Sequence, residues 1–151
     1  MPLQLDDLAA TEALGARIAA DLGAGDTVAL EGELGAGKTT LARAILRALG
    51  VTESVPSPTF TLVQSYETEH LTVRHYDLYR IKNPREIDEL GLDEALEQGA
   101  VLIEWPENAE GRLPGDALHV VLSATGEQSR RADISGSPRW AGLLTDGPRV
   151  R

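Results

Sequence analysis

Cysteine is absent from the 151 residues of this chain, and so is any long hydrophobic run. Without cysteine there is no disulfide framework, no cysteine-based zinc site and no thiol nucleophile, which fits a reducing compartment. No stretch approaches the roughly 20 apolar residues that a membrane helix needs. Residues 1–14 lack the basic start and apolar core of a secretory signal. We therefore expect a cytoplasmic protein without membrane association, in which residues 1–151 form a single domain.

Positive charge is also scarce. The chain has 14 Lys and Arg residues against 24 Asp and Glu residues, so its formal net charge is −10. A nucleic-acid-binding protein usually presents a basic face that displaces counterions from phosphates. Here the basic residues are scattered, and the closest group is Arg130, Arg131 and, further on, Arg139. The composition argues against autonomous binding of RNA or DNA, so any RNA is expected to be held by another protein.

Hydrophobic spacing and glycine or proline breaks predict alternating helices and strands. In the first third of the chain, a helix is predicted over residues 8–22, a buried strand over 27–30 and a helix over 38–49. The rest of the chain is predicted to contain these elements, in order: two β-rich stretches from Phe60 and from Leu71 that form an antiparallel hairpin, two helical pieces within residues 83–99 separated at Gly91, a strand in "AVLIEW", two paired strands in "LPGDALHVVLSATG" and "RRADIS", and a frayed tail at residues 137–151.

The glycine-rich turn between the first predicted strand and the following helix carries a specific motif. Residues 32–39, GELGAGKT, match G-x-x-x-x-G-K-[ST] without a mismatch. The glycines let the backbone approach an anion without a Cβ in the way. The loop then presents consecutive N–H groups to phosphate oxygens at the start of a helix. The expected nucleotide-binding residues of this turn are Gly35, Ala36, Gly37, Lys38, Thr39 and Thr40.

Three side chains of this turn have separate expected roles. Lys38, one of only two lysines in the chain, supplies a mobile point charge for the β- and γ-phosphates, a role that the planar arginine does not suit. Thr39 offers its hydroxyl to Mg²⁺, which takes few protein ligands together with phosphate oxygens and water. Thr40 is expected to reach the α-phosphate. We expect ATP rather than GTP, because the guanine-reading sequence N-K-x-D is absent.

A phosphate-binding loop needs a second metal anchor, normally an acid at the end of a neighbouring buried strand. "VLIEW" places Glu104 directly after three apolar residues, where its carboxylate would emerge at the ligand-binding edge of an open α/β sheet. Glu107 competes for this role but lies off the strand. We therefore predict a metal site of Thr39 and Glu104, with Glu104 acting directly or through water. The expected fold is α/β, a three-layer P-loop NTPase with a mixed parallel and antiparallel sheet flanked by helices.

Five short blocks occur in order along the chain: "TEALG", "GELGAGKTTL", "SPTFTLV", "HYDLYR" and "LIEWPE". In these blocks the chain resembles the TsaE family, small P-loop ATPases that bacteria need for threonylcarbamoyl modification of the adenosine beside the tRNA anticodon. The resemblance implies Mg²⁺-dependent hydrolysis of ATP to ADP and phosphate. It also implies a partner, the TsaB–TsaD heterodimer, with tRNA reached only indirectly through that complex. Because no obvious arginine finger is present, a group worth about 10³–10⁵ in rate, we expect weak hydrolysis alone and stimulation by the partner.

The resemblance implies two further catalytic residues besides Lys38 and Glu104. Thr59 in "SPTF" matches a switch-like loop whose threonine can approach the γ-phosphate or the metal. Asp77 in "HYDLYR" matches the family's essential aspartate, and its expected work is to orient the attacking water or to hold a metal-bound water. Strand alternation places Asp77 on one face with His75 and Tyr79.

Three other residues match family positions near the nucleotide. Trp105 matches a tryptophan beside the metal-anchoring acid and is expected to lie near the nucleotide or a partner. Thr11 and Arg130 match positions near the adenine end of the nucleotide.

Two other functions are compatible with the phosphate-binding motif. A small-molecule kinase would need a lid over a second substrate, for which Arg80, Lys82 and Arg85 are candidates, although this segment is short and contains no recognisable second phosphate site. A regulatory switch would bind nucleotide and a partner without useful catalysis. Phosphate release without an acceptor distinguishes hydrolysis from both.

Overall fold

The computed structural model describes residues 1–53, 55, 62–83, 85–109 and 111–145. Within these ranges no helix has the length and apolar character needed to cross a membrane. The strands are β1 (Pro2–Leu5), β2 (Thr27–Glu31), β3 (Val63–Glu67), β4 (Thr72–Asp77), β5 (Gly99–Glu104), β6 (Leu118–Ala124) and β7 (Arg130–Ser135). The helices are α1 (Leu8–Asp21), α2 (Lys38–Ala48), α3 (Arg85–Asp88), α4 (Leu92–Gln98) and α5 (Ala141–Thr145), with 3₁₀ turns at Pro106–Ala109 and Pro138–Trp140.

The strands form one sheet in the order β1-β7-β6-β2-β5-β4-β3. Its centre is parallel, since β2 pairs with β5 and β6, and β4 pairs with β5. Its edges are antiparallel, with β1 on β7, β7 on β6, and β3 on β4. The predicted mixed sheet is therefore confirmed. Because β2, β4 and β5 run in the same direction, their carboxyl ends meet at one edge, where Asp77 lies opposite Glu104 in the register.

Helices cover both faces of the sheet. Along β5, Leu102 belongs to one hydrophobic core together with Ile45 of α2. The next residue, Ile103, belongs to a second core together with Leu92 of α4. Successive residues of a strand point to opposite faces, so the two cores lie on opposite sides of the sheet. The layers are helix, sheet and helix, as predicted.

The structure differs from the sequence expectation at both ends of the described chain. The strand β1 is not predicted from the sequence; it pairs with β7, far along the chain. The tail does not fray as far as Thr145, because a 3₁₀ turn and α5 pack on the core with Trp140 and Leu143 fully buried. The indole Nε1 of Trp140 donates to the carbonyl O of Asp116 at 2.7 Å. The other predicted elements are present, and the first strand of the hairpin is β3, which begins at Val63. Thr59, Phe60 and residues 146–151 lie outside the described residues.

Candidate nucleotide-binding site

The turn between β2 and α2 is built from glycines in backbone conformations that other residues rarely adopt. Gly32, Gly35 and Gly37 have φ angles of 147°, 81° and 102°, values that favour glycine. A Cβ on Gly32 would also lie 2.5 Å from the carbonyl O of Leu122. Gly37 is the N-cap of α2 and supplies no side chain to cap it. The first N–H groups of α2 therefore have no side-chain cap, which is the arrangement that an anion-binding helix start requires.

Lys38, the first residue of α2, is only 5% exposed. Its Nζ donates to the carbonyl O of Gly32, and it lies 3.5 Å from the carbonyl O of Glu33 and 3.6 Å from the centre of the Trp105 ring. Burial lowers the pKa of the Lys38 ammonium group. Three neighbouring carboxylates oppose this lowering of the pKa: those of Glu104, Glu107 and Asp77. The Lys38 ammonium group is therefore a buried cation that contacts backbone carbonyl oxygens of the turn and lies near three carboxylates.

Glu104 ends β5 with its carboxylate against the start of α2. It is 3% exposed, and Oγ1 of Thr39 lies 3.0 Å from its Oε1 and 2.9 Å from its Oε2. The Nε2 atom of His75 lies 2.7 Å from Oε2 on another side. Two oxygen ligands at adjacent corners of a Mg²⁺ octahedron, with bonds of about 2.1 Å, lie about 3.0 Å apart. The separation of the Thr39 and Glu104 oxygens therefore fits a shared Mg²⁺ ion.

The candidate metal site contains few side chains that could bind a metal ion. Within the ranges that the structure describes, no group of three or more His, Cys, Asp or Glu side chains could hold a metal ion. Mg²⁺ does not need such a group, since it is usually bound by one or two carboxylates together with substrate phosphates and water. The side chains present fit a metal that arrives with phosphate groups.

Asp77 ends β4 next to Glu104. Its side chain is buried, and its Oδ1 accepts a hydrogen bond from the backbone N–H of Tyr79 at 3.0 Å. It lines one cleft together with Lys38, Glu104 and Trp105. Tyr79 does not share the predicted strand face, because β4 ends at Asp77. Its ring instead packs against Trp105, with the ring centroids 4.8 Å apart.

Trp105 has an unusual backbone conformation directly after Glu104. Its φ is 60°, a value that is rare for a bulky residue. The conformation is held by its backbone N–H, which donates to the carbonyl O of Leu30 at 3.3 Å, and by ring contacts with Tyr79 and Lys38. Residues in sparsely populated backbone regions are concentrated at ligand sites. The Trp105 conformation therefore adds to the case for a binding site at this edge.

A second cleft lies on the other side of the turn and contains the residues expected at the adenine end. Thr11, in the first turn of α1, is 7% exposed. Nη1 of Arg130 donates to the carbonyl O of Ser129 at 2.8 Å, and Nη2 lies 3.5 Å from the carbonyl O of Gly35. Residues lining this cleft include Leu8, Thr11, Ala36, Gly37, Thr40 and Arg130. Arg130 also lines the cleft that contains Lys38 and Glu104, so the two clefts meet at the turn.

The structure brings together most of the residues selected from the sequence, and it adds His75. From the sequence, His75 is placed on the same strand face as Asp77 without a role. The available sequence signal was the position of His75 two residues before Asp77, on the same predicted strand face. The interaction itself depends on the pairing of β4 with β5, which no local pattern specifies. Thr59 lies outside the described residues.

Known proteins share much of this sequence. The family model "Threonylcarbamoyl adenosine biosynthesis protein TsaE" matches residues 5–132. The tRNA threonylcarbamoyladenosine biosynthesis protein TsaE of Rickettsia felis is 41% identical over 135 residues, which cover 89% of this chain and 79% of that protein. The protein of the same name from Bacillus subtilis is 40% identical over 121 residues, or 80% and 75% of the two chains.

A solved structure gives the same result at the level of the fold. The crystal structure of Bacillus subtilis YdiB superposes with a TM-score of 0.80 at 31% identity, covering 97% of this chain and 92% of the other. The family match over most of the length, the relatives that are about 40% identical and the matching fold agree with one another. The chain therefore belongs to the TsaE family of threonylcarbamoyl adenosine biosynthesis proteins.

Proposed function

We propose that this protein is a Mg²⁺-dependent ATPase that supports threonylcarbamoyl modification of the adenosine next to the tRNA anticodon. Family membership supports the process. The observation that carries the enzymatic part is the Thr39 hydroxyl within 3.0 Å of the Glu104 carboxylate, directly after a glycine-rich phosphate loop. Thr39 and Glu104 would hold Mg²⁺, which when bound neutralises charge developing on the phosphate oxygens.

The proposed reaction is attack by water on the γ-phosphorus of ATP. The bond from that phosphorus to the β–γ bridging oxygen breaks, which gives ADP and inorganic phosphate. The Lys38 ammonium group and the loop N–H groups stabilise the charge on the transferring group. Asp77, buried beside Glu104, orients the attacking water. Thr59 is proposed to act near the γ-phosphate, on the family resemblance alone.

The remaining contacts follow from the two clefts that meet at the turn. The backbone N–H groups of residues 35–37 are proposed to hold the phosphates, and the Thr40 hydroxyl to reach the α-phosphate. Thr11 and Arg130 line the second cleft and are proposed to contact the adenine end. Trp105, against Lys38, is proposed to lie beside the nucleotide or a partner.

We propose the TsaB–TsaD heterodimer as the partner, the cytoplasm as the location, and tRNA as a molecule met only through the complex. The formal net charge of −10 supports docking on proteins rather than on tRNA directly. Among the described residues that line the catalytic cleft, the cations are Lys38 and Arg130. A further arginine supplied by a partner is the usual way to gain about 10³–10⁵ in rate. Weak hydrolysis alone, stimulated by the heterodimer, is the expected behaviour.

Lys38→Met tests the nucleotide site, and Lys82→Met is the matched control because Lys82 is the other lysine and is exposed. Titration calorimetry with Mg-ATP is expected to show a loss of affinity of at least about tenfold for Lys38→Met, since a charge-assisted hydrogen bond contributes about 1.5–3 kcal/mol. Lys82→Met should bind as the wild type does. Equal affinities for the two variants would contradict the assignment of the turn.

Hydrolysis is tested by measuring phosphate release by the purified protein, with and without TsaB–TsaD and tRNA. Slow release alone and faster release with the heterodimer are expected. Phosphoryl transfer to a metabolite would favour the kinase instead. Mg-ATP binding with no phosphate release in any mixture would favour the non-catalytic switch.

A further inference from the structure

His75 is the most deeply buried titratable side chain near the candidate metal site. It lies on β4 two residues before Asp77 and has no exposed surface. Its Nε2 lies 2.7 Å from Oε2 of Glu104, on the neighbouring parallel strand β5. Its other ring nitrogen, Nδ1, is buried and has no hydrogen-bond partner among the described residues. Within the described part of the chain, the ring therefore makes a polar contact through Nε2 and none through Nδ1.

This one-sided contact determines which nitrogen carries the hydrogen. A carboxylate oxygen accepts hydrogen bonds, so Nε2 facing it must be the donor. With the hydrogen on Nδ1 instead, a buried N–H group would have no acceptor among the residues that the structure describes, and lone pairs of Nε2 and Oε2 would face each other across 2.7 Å. The Nε2–H tautomer avoids both problems. His75 therefore donates from Nε2 to Glu104, while Nδ1 is buried in the interior.

The Glu104 carboxylate is thus held from two directions. Thr39 Oγ1 contacts both carboxylate oxygens from α2, and His75 contacts Oε2 from β4. A Mg²⁺ ion at this site would bind the same Thr39 and Glu104 oxygens. The contact between His75 and Glu104 involves neither Thr39 nor a metal. It can therefore hold Oε2 in place whether Thr39 binds Glu104 or a Mg²⁺ ion.

We infer that His75 is a positioning residue, which fixes the Glu104 carboxylate for the Mg²⁺ site by donating a hydrogen bond from Nε2. The inference rests on the proposed function, because that function supplies the Mg²⁺ ion. The hydrogen bond between His75 and Glu104 does not depend on the proposed function. Another His–Glu pair in the chain shows the contrast. His119 Nδ1 lies 4.0 Å from Oε2 of Glu31, and the two side chains are 40% and 34% exposed, respectively.

Three variants separate the donated hydrogen bond from simple packing. The side-chain amide of glutamine can place its N–H₂ close to the position of Nε2, whereas the shorter asparagine reaches only to that of Nδ1. His75→Gln therefore keeps a donor for Glu104 and His75→Asn removes it. His119→Gln is the matched control. Mg²⁺ is titrated by calorimetry into each protein saturated with ADP, and ADP affinity is measured separately in EDTA.

The expected result is an affinity for Mg²⁺ that is lower by about tenfold to a hundredfold in His75→Asn, the usual effect of removing an outer-shell partner. His75→Gln and His119→Gln should stay within about threefold of the wild type. ADP affinity in EDTA should be the same in all four proteins. Equal Mg²⁺ affinities in His75→Asn and the wild type would overturn the inference. So would a loss in His75→Gln as large as in His75→Asn, since this would indicate packing alone.

A second readout needs no metal. Long-range ¹H–¹⁵N NMR of the ¹⁵N-histidine-labelled wild-type protein in EDTA reports the tautomer of each histidine. The Nε2–H form is expected for His75, and an Nδ1–H form would overturn the inference even if the variants did not fold. If the wild-type protein neither binds Mg-ATP nor releases phosphate from it, the proposed function fails. The tautomer then still decides whether His75 donates to Glu104.

Discussion

At the scale of single residues, two buried tyrosines on neighbouring strands differ in one hydrogen bond. Tyr66 on β3 and Tyr76 on β4 are 4% and 1% exposed. The Tyr76 hydroxyl donates to the carbonyl O of Leu90 at 3.0 Å. The Tyr66 hydroxyl has no partner within the described part of the chain. A buried hydroxyl without a partner lowers stability, whereas one with a partner raises it modestly.

Replacing each tyrosine by phenylalanine is therefore expected to have opposite effects at neutral pH. Tyr66→Phe should raise the free energy of unfolding by about 1 kcal/mol, because it removes an unpaired buried hydroxyl. Tyr76→Phe should lower it by about 1 kcal/mol, because it breaks a hydrogen bond. Urea unfolding followed by circular dichroism measures both, and each variant is the control for the other. A destabilised Tyr66→Phe would show that its hydroxyl has found an acceptor.

The same two residues make stability depend on pH in the alkaline range. Burial raises the pKa of the Tyr66 and Tyr76 hydroxyls above the ordinary value of 10.0. Above about pH 10 the unfolded chain releases these protons first, so the native state binds more protons and stability falls as pH rises through the raised pKa values. Between about pH 9 and pH 11 each phenylalanine variant should lose less stability than the wild type in urea titrations. Identical losses in all three proteins would contradict this assignment.

At the scale of secondary-structure elements, α1 and α2 pack closely because one residue has no side chain. A Cβ on Gly15 of α1 would lie 2.5 Å from Cβ of Ala44 on α2. Both helices position the candidate site, since α1 contains Thr11 and α2 begins at Lys38. The contact between these helices therefore helps to set the position of Thr11 relative to the turn before α2.

Gly15→Ala is expected to lower the free energy of unfolding by about 1–3 kcal/mol through overpacking, although alanine favours helix more than glycine does. Gly142→Ala in α5 is the control, because a Cβ there meets nothing within 4 Å. It should be neutral or stabilising by up to about 1 kcal/mol. Thermal unfolding of the two variants measures the difference. A Gly15→Ala variant as stable as Gly142→Ala would show that the helices can move apart at little cost.

At the scale of the whole molecule, the distribution of charge argues that this protein does not hold tRNA by itself. The net charge is −10, and several arginines bond to the chain's own carboxylates or carbonyl groups. These include Arg43, Arg47, Arg112, Arg130, Arg131 and Arg139. Arginines engaged in this way are less able to neutralise a nucleic-acid backbone.

We expect labelled tRNA to bind the isolated protein more weakly than a Kd of about 10⁻⁴ M at physiological salt, the weak limit for non-specific nucleic-acid binding. In a gel-shift assay, tRNA should be retained only when TsaB–TsaD is also present. The heterodimer without this protein is the control for tRNA bound by the partners alone. Tight binding by the isolated chain, weakening steeply with salt, would contradict the proposal that tRNA is met only through the complex.

The sequence by itself determined those parts of the protein that depend on neighbouring residues. The glycine-rich turn before α2 can be recognised in the sequence because its glycines are needed for local backbone angles, as at Gly35 and Gly37. The position of Glu104 at the end of a strand can be predicted because its carboxylate comes directly after an apolar run. The antiparallel pairs β3–β4 and β6–β7 followed from the same local patterns of strand and turn.

Only the tertiary structure decided what depends on pairing between distant segments. The strand β1 is four residues long, and its strand structure depends on pairing with β7. Trp140 is buried in a core that the sequence around it does not reveal. His75 meets Glu104 because β4 lies parallel to β5 in one register. A shift of one residue would turn every side chain of β4 to the other face. Such contacts are set by the packing of the whole sheet, which local spacing does not encode.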